Sequence, residues 1–424
     1  MTPEIKQRIE QIRRGEVPEG YVKKRKVVIP QQWGLPQIKD IASISSGSTP
    51  NRNNSEYWNG NIAWVTTGEL SSGHVNHTSE LITVKAVKET KMRIYPQGTL
   101  LMAMYGQGKT RGTVAILEID AAVNQACAAI TVKDGKGKFL FYQLKNSYQD
   151  IRKLSNTGNQ ENLNADIIKT YQVPWAPDEE QERISTILTT QDKVIELKEK
   201  RLAEKQRQKK YLMQQLLTGK KRLPGFSGEW KNIKLCEVLS ERKEKNVEQN
   251  LRICSVAVQK GVVDQVEHLG RSYAANDTSN YSVAHYGDII YTKSPTGDFL
   301  YGIVKQNLLQ ETVAVSPLYG VFTPLTFGLG YFLHTYFQSA ICARNYLLPI
   351  VQKGAKNTIN ITNDTFISSK LYLPLDVEEQ KAIADTFIAA DREIELLQQD
   401  IEQEKQKKKA LMQLLLTGIV RVKT

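Results

Sequence analysis

One stretch of the chain occurs twice, 199 residues apart and without a gap. It runs from Glu179-Glu180-Gln181 through Leu212-Met213-Gln214 to Leu216-Leu217-Thr218-Gly219. It returns from Glu378-Glu379-Gln380 through Leu411-Met412-Gln413 to Leu415-Leu416-Thr417-Gly418. An offset this long is far from a solenoid period. It describes two similar halves, each a domain followed by a helix.

Both copies read as long helices. Neither contains proline between the EEQ and the LTG, and both are rich in Glu, Gln, Lys, Leu and Ala, which are strong helix formers. Leu188, Ile195, Leu202, Lys209 and Leu216 sit seven apart, as do Phe387, Ile394, Ile401, Lys408 and Leu415. An apolar column of this period predicts a coiled-coil seam. Lys209 and Lys408 interrupt it at the same turn, either to fix register or to meet a partner subunit. A second seam, Ile184, Gln191, Lys198, Lys205 and Leu212, is apolar only at its ends; its equivalent carries Ile383, Ala390, Leu397 and Leu411. The first turns are acidic, which suits the helix dipole, and Gly219 and Gly418 are natural stops. About 38 residues would make a rod of roughly 57 Å. The expected arrangement is that the two helices pack on each other; two separate amphipathic helices, each covering its own domain, and self-pairing between two chains are the competing ones.

A chain of 424 residues with 40% hydrophobic and 24% charged residues has room for two or three domains with sizeable cores. No apolar run approaches the ~20 residues of a membrane span, and the first residues lack the apolar core of a signal peptide. Cys127, Cys236, Cys254 and Cys342 show no CxxC spacing. They read as reduced, partly buried thiols of a cytoplasmic protein. A net charge of +12 favours a polyanionic partner, since each phosphate neutralised by Lys or Arg releases counterions.

The expected order is an N-terminal helical extension (1–24), a first domain (25–177), the first long helix (178–219), a linker (220–229), a second domain (230–376), the second long helix (377–418) and a C-terminal tail (419–424). Ile5, Ile9 and Ile12 share a face of the extension, and Lys23-Lys24-Arg25-Lys26 reads as a solvated linker, with a phosphate contact as the alternative. Within the domains the apolar runs are short, β-branched and punctuated by Gly, Asn and Pro. Strands are expected at Ile62-Ala63-Trp64-Val65, 99–103, 113–117 and 127–132, and in the second domain at 253–258, 288–291 and 312–316. Helices are expected over 139–154 and 330–345. The fold class is mixed α/β (α+β): two similar globular domains with curved β-sheets, separated by two long antiparallel coiled-coil helices, in a pseudo-twofold internal repeat.

Gly106-Gln107-Gly108-Lys109-Thr110 resembles the end of a phosphate-binding P-loop. Ala103 stands where that pattern needs its first glycine, and a strand rather than a helix follows. The loop suits DNA better: Lys109 and Arg111 can reach phosphates or guanine, Gln107 can pair with adenine, and the glycines permit close backbone approach. An ordinary hairpin turn with exposed charges is the plain alternative. His74 and His77 have no Cys, His or acidic cluster to complete a metal site. No nucleophile, zinc or glycine-rich cofactor signature is present, so no catalytic role is expected.

The architecture resembles the specificity subunit of a type I restriction-modification system. The residues that carry the resemblance are Tyr57-Trp58-Asn59-Gly60-Asn61-Ile62-Ala63-Trp64-Val65-Thr66-Thr67-Gly68-Glu69-Leu70, Gly98-Thr99-Leu100-Leu101 with Asn124-Gln125-Ala126-Cys127, Gly287-Asp288-Ile289-Ile290-Tyr291, and the two EEQ…LLTG helices. The second domain departs by lacking the YWNG…WV segment. The resemblance implies two target recognition domains, each reading half of a split, asymmetric sequence in double-stranded DNA. The long helices would form an antiparallel coiled coil that sets the half-site spacing, and helices and domain edges would hold two methyltransferase subunits. Those subunits would bind S-adenosylmethionine and methylate adenine, with base flipping. A motor-nuclease subunit would bring ATP and Mg. No cofactor is expected in this chain, and no membrane.

The DNA-contact candidates are Thr66, Thr67, Tyr105, Gln107, Lys109, Thr110 and Arg111, then Asn159, Gln160 and Asn162, in the first domain. In the second they are Arg271, Lys293, Ser294, Thr296, Lys353, Lys356 and Asn357. The alternatives are a standalone DNA-binding or coiled-coil scaffold without an enzyme partner, and a nucleotide-dependent enzyme built on the glycine loop.

Overall fold

The structure, a computed structural model, describes residues 2–106, 108–133, 137–154, 162–271, 277–353 and 359–422, with the backbone alone at Leu269, Gln352, Lys353, Ile359 and Asn360. Two compact units emerge, Met1–Lys198 with Asp400–Thr424, and Glu199–Gln399. The long helices, Asp178–Leu216 and Val377–Leu415, are each a single helix. Each unit therefore holds the start of one long helix and the end of the other. The second unit is continuous in sequence. The first has the permuted order, closed by residues from the far end of the chain.

In the first unit, a helix at Pro3–Arg13 starts with Thr2 as cap and proline in its first turn. The basic run 23–26 is not a solvated linker. It turns an antiparallel hairpin, β1 (Tyr21–Lys24) with β2 (Val27–Pro30). Arg25 takes φ 54° in its tight turn, and Lys24 Nζ donates to the Trp33 carbonyl at 2.9 Å. The strands that follow are β3 (Ala42–Ser46), β4 (Trp58–Val65), β5 (His74–Val75), β6 (Glu80–Ile82), β7 (Leu100–Ala103), β8 (Val114–Leu117), β9 (Ala121–Val123) and β10 (Cys127–Val132). They form a five-stranded sheet, β3-β10-β7-β8-β5, and a three-stranded one, β6-β4-β9. Both faces of β7 are buried: Leu100 and Met102 join one core, Leu101 and Ala103 another. That is why these strands read as continuous apolar runs rather than alternating ones.

The single helix expected over 139–154 is two, Gly137–Asn146 and Tyr148–Lys153. The second domain repeats the break, with Phe327–Tyr336 and Ala340–Leu347. A serine stands at each restart, and Ser339 accepts the Cys342 N–H as an N-cap. Serine prefers caps to helix interiors because its hydroxyl competes for backbone groups.

The second unit carries β11 (Trp230–Lys234), β12 (Leu239–Glu241), β13 (Arg252–Ala257), β14 (Gly261–Asp264), β15 (Ser282–Ala284), β16 (Ile289–Tyr291), β17 (Val304–Gln306), β18 (Val313–Val315), β19 (Gly320–Pro324), β20 (Gln352–Lys353), β21 (Ile359–Asn360) and β22 (Lys370–Pro374). Its main sheets run β12-β19-β16-β17 and β14-β13-β18-β15. The core is aromatic: Phe366 stacks on Tyr291 at 4.4 Å and also meets Phe322, Phe337 and Tyr346.

Within each unit the long-helix segments pair antiparallel. In the first, Asp192 meets Lys408 and Lys198 meets Asp400 at 2.8 Å. In the second, Lys205 meets Glu393 at 2.9 Å and Lys209 meets Asp391 at 2.5 Å. The column is buried at Leu188, Ile195, Leu216, Phe387, Ile401 and Leu415 and half-buried at Leu202 and Ile394. The two lysines that interrupt it have a definite role. Asp192 holds Lys408 and accepts from the Tyr142 hydroxyl at 2.7 Å; Asp391 holds Lys209 and accepts from the Tyr331 hydroxyl at 2.9 Å. Each lysine thus finds its carboxylate on the opposite helix and one register satisfies the pair, as a polar seam residue does in a coiled coil. The polar middle of the second seam is used likewise: Gln191 and Lys198 both bond Glu404, at 2.6 and 3.0 Å, and these contacts lower the Glu404 carboxyl to about 2.

The EEQ signature is also structural. Glu180 is fully buried and accepts from Trp33 Nε1 at 2.9 Å and from both Arg421 nitrogens at 2.7 and 2.8 Å. Glu379 does the same with Trp230 Nε1 at 3.0 Å and with Arg222. Val420 and Val422 pack on the first unit's core. Residues 419–422 therefore close that unit. Gly418 ends its helix at φ +71°, where an added Cβ would lie 2.5 Å from Pro30.

Candidate nucleic-acid interface

In the first unit, the loop between β7 and β8 is built on a sharp reversal. Gly112 N donates to Ala103 O at 2.8 Å, and Ala103 N to Thr113 O at 2.9 Å. Gly106 sits at φ +130° with Thr110 so close that a Cβ would collide at 2.8 Å. No helix follows; β8 does, so the P-loop likeness ends at composition. Tyr105 and Lys109 are exposed, and Thr110 is half-buried. Arg111 is only 8% exposed, so it is set into the loop's base rather than presented like Lys109. Gln107, Asn159 and Gln160 lie outside the described residues.

Two side chains brace this loop, and sequence reasoning missed both. Tyr148 donates its hydroxyl to the Lys109 carbonyl at 2.6 Å. Arg152 donates to the Arg111 carbonyl at 2.7 Å and the Gly108 carbonyl at 2.8 Å while lying over the Tyr148 ring. Their aromatic–arginine i,i+4 spacing is the one signal the sequence offered.

Backbone bonds gather the other candidates along the end of the sheet. Met104 N donates to Ala126 O at 2.8 Å, Leu163 N to Met104 O at 3.0 Å, and Asn124 N to Val65 O at 3.0 Å. Tyr105, Gln125 and Thr66 thus follow, and Asn162 precedes, residues tied together by these bonds. Thr66 is committed to structure, since its N–H and hydroxyl both bond Glu69, at 2.7 and 3.2 Å. Thr67 is half-buried beside it. Gln125 is exposed and accepts from Thr49; neither is among the contact candidates, although Asn124-Gln125 belongs to a motif.

The aromatic motif around Trp58 is scaffold. Arg52 lies 4.2 Å from the Trp58 ring and 5.0 Å from Trp64, and pairs with Glu80. Asn59-Gly60 forms a bulge in β4; a Cβ at Gly60 would sit 2.4 Å from the Ile82 carbonyl. His74 pairs with Glu118 and His77 with Asn76. No group that could hold a metal occurs among the described residues.

The second unit has the topologically equivalent loop between β16 and β17. Its ends approach closely enough that a Cβ on Gly302 would lie 2.8 Å from Lys293 N. Lys293 takes φ 61° and is half-buried, and burial pulls its ammonium below the usual lysine range. Ser294 and Thr296 are exposed at the tip; Thr296 and Phe299 exchange backbone bonds of 3.0 Å. Arg271 lies elsewhere, after the short helix Gln265–Leu269 that follows β14 on the other sheet. The Lys353 side chain, Lys356 and Asn357 lie outside what the structure describes. Asp288 anchors the loop's first strand: Arg242 Nε donates to it at 2.7 Å and Thr323 at 2.9 Å.

The two units repeat one α/β frame, one of them in permuted order, and each presents a different polar loop at the same hairpin. The family model described as type I restriction modification DNA specificity domain matches residues 30–206 and again 228–406, and the chain belongs to that family. It is 34% identical over 178 residues to the type I restriction enzyme MjaIX specificity subunit of Methanocaldococcus jannaschii, a match spanning 41% of this chain and 40% of that relative. Over 429 residues it is 24% identical to the MjaVIII specificity subunit of the same organism, covering 93% of this chain and 94% of the relative. The crystal structure of a type I restriction-modification S subunit from M. genitalium superposes with a TM-score of 0.58 at 11% identity, covering 93% of this chain and 98% of that one. A chain from a structural study of assembly and conformational transition in the type I R-M system gives a TM-score of 0.54 at 15% identity, covering 92% and 99%. At these identities the two structures show a shared fold. No helix among the described residues is long and apolar enough to cross a membrane.

Proposed function

We propose that this chain is the DNA-reading subunit of a type I restriction-modification enzyme, with each unit reading one half of a bipartite, asymmetric site. The observation that carries this reading is the pair of equivalent hairpin loops, 104–113 and 292–303, which keep one frame and differ in nearly every side chain. A frame held constant while its loops vary is what two readers of different sequences require. The net charge of +12 supplies the sequence-independent attraction to the phosphate backbone. The long helices set the half-site spacing, and together with the domain edges dock two adenine methyltransferase subunits. S-adenosylmethionine belongs to those partners, ATP and Mg to the motor-nuclease, and this chain performs no chemistry of its own.

Tyr105→Ala and Lys109→Ala test the first loop because both side chains are exposed there. Each is expected to weaken binding to the cognate duplex by about 1–3 kcal/mol, and Lys109→Ala to reduce the salt slope by about 1 if it meets a phosphate. Assembly with the methyltransferase should survive. Unchanged DNA affinity in both variants, measured by mobility shift, contradicts the assignment of this loop.

A further inference from the structure

The second unit has a half-open cavity of about 970 Å³ between β17, the β13–β14 turn, the helix Phe327–Tyr336 and the two long-helix segments of that unit. Lys305 stands in its wall. It is 4% exposed, and among the described residues its Nζ has no hydrogen-bond or ion-pair partner. A buried ammonium in that condition is costly unless something answers it.

No neighbouring group bonds it, although the Asp391 carboxylate lies near enough to favour its charge. Lys209 takes one Asp391 oxygen at 2.5 Å and the Tyr331 hydroxyl takes the other at 2.9 Å. His334 Nδ1 accepts the Gln306 N–H at 3.0 Å, which places the ring proton on Nε2. That proton faces the Gln338 amide at 2.9 Å, while the other end of the amide faces Lys209 at 2.9 Å. One amide oxygen cannot accept from both, so whichever way Gln338 is turned a donor is left over. At the rim Arg392 is paired with Glu395, leaving Lys210, Lys260 and Lys305 against Asp298. Donors and positive charge are both in excess.

The internal repeat shows that this cation is no part of the shared frame. Lys305 pairs with Ile290 in Gly287-Asp288-Ile289-Ile290, and Ala115 pairs with Leu101 in Gly98-Thr99-Leu100-Leu101. The first unit therefore has a buried alanine where the second has Lys305.

We propose that this cavity is a binding site for a phosphate oxyanion, held by Lys305 and Lys209 with the surplus donor of the His334–Gln338 pair. The oxyanion has two possible sources, a soluble phosphate-bearing molecule or a backbone phosphate of nucleic acid. Inorganic phosphate added to the full chain, against chloride at equal ionic strength, should raise the melting temperature by about 2–4 °C near saturation. Lys305→Met should fold and lose that rise. An arbitrary-sequence DNA duplex then separates the sources: affinity reduced at least about fivefold by Lys305→Met assigns a backbone phosphate, and unchanged affinity assigns a soluble ligand. No phosphate-specific rise, or an equal rise in Lys305→Met, overturns the proposal.

Discussion

Replacing Glu379 with alanine is expected to destabilise the second unit by about 3–5 kcal/mol, the usual result of removing one partner of a buried ion pair. The carboxylate is 1% exposed and answers two donors at once. Without it, Arg222 keeps a desolvated charge and the buried Trp230 indole N–H loses its acceptor. Glu379→Gln should cost less, because an amide oxygen still serves Trp230. Adding Arg222→Ala to Glu379→Ala should cost less than the sum of the two, since they share one interaction. Glu180→Ala should act alike in the first unit through Trp33 and Arg421, and removing residues 419–424 should reproduce much of it. Urea unfolding checks each. A loss under about 1 kcal/mol for Glu379→Ala would place the acid outside the frame's essential contacts.

Lys305→Met is expected to do the opposite and stabilise the second unit by about 3 kcal/mol at pH 7 in phosphate-free buffer. Burial, with the Lys209 ammonium adding to it, pushes the Lys305 ammonium down to about 8 from 10.5, and every tenfold loss of proton affinity is worth about 1.4 kcal/mol. Below pH 8 both folded and unfolded chains carry the proton, and the folded state bears the full cost of burying it. Between about 8 and 10.5 the unfolded chain binds more protons, so native stability rises with pH. Above 10.5 neither state is charged and the cost is gone. The advantage of the methionine variant should therefore be constant below pH 8 and shrink towards pH 10.5. An advantage independent of pH across that window would show that packing, not the charge, is responsible.

The frame was largely legible in the sequence because it rests on periodic apolar patterns. The long helices, their seam and the strands from Ile62 to Val132 follow from heptads and β-branched runs. Lys209 and Lys408 could be seen as interruptions but not explained, since their partners Asp391 and Asp192 are remote in sequence. The hairpin at Lys23–Lys26 is hidden because four consecutive basic residues look like a solvated run. Residues 419–424 read only as a C-terminal tail because nothing local shows that Arg421 reaches Glu180. The loop at Lys109 was visible through its glycines, while its braces Tyr148 and Arg152 lie about 40 residues on, as partners set by tertiary structure do.

The two units are proposed to read separate halves of one DNA site. This is tested most directly by exchanging residues 230–376 for the corresponding segment of another member of the family and sequencing the methylated sites in cells carrying the complete system. One half of the recognised sequence is expected to change while the other half and the spacing persist. A change in both halves, or in neither, would contradict it.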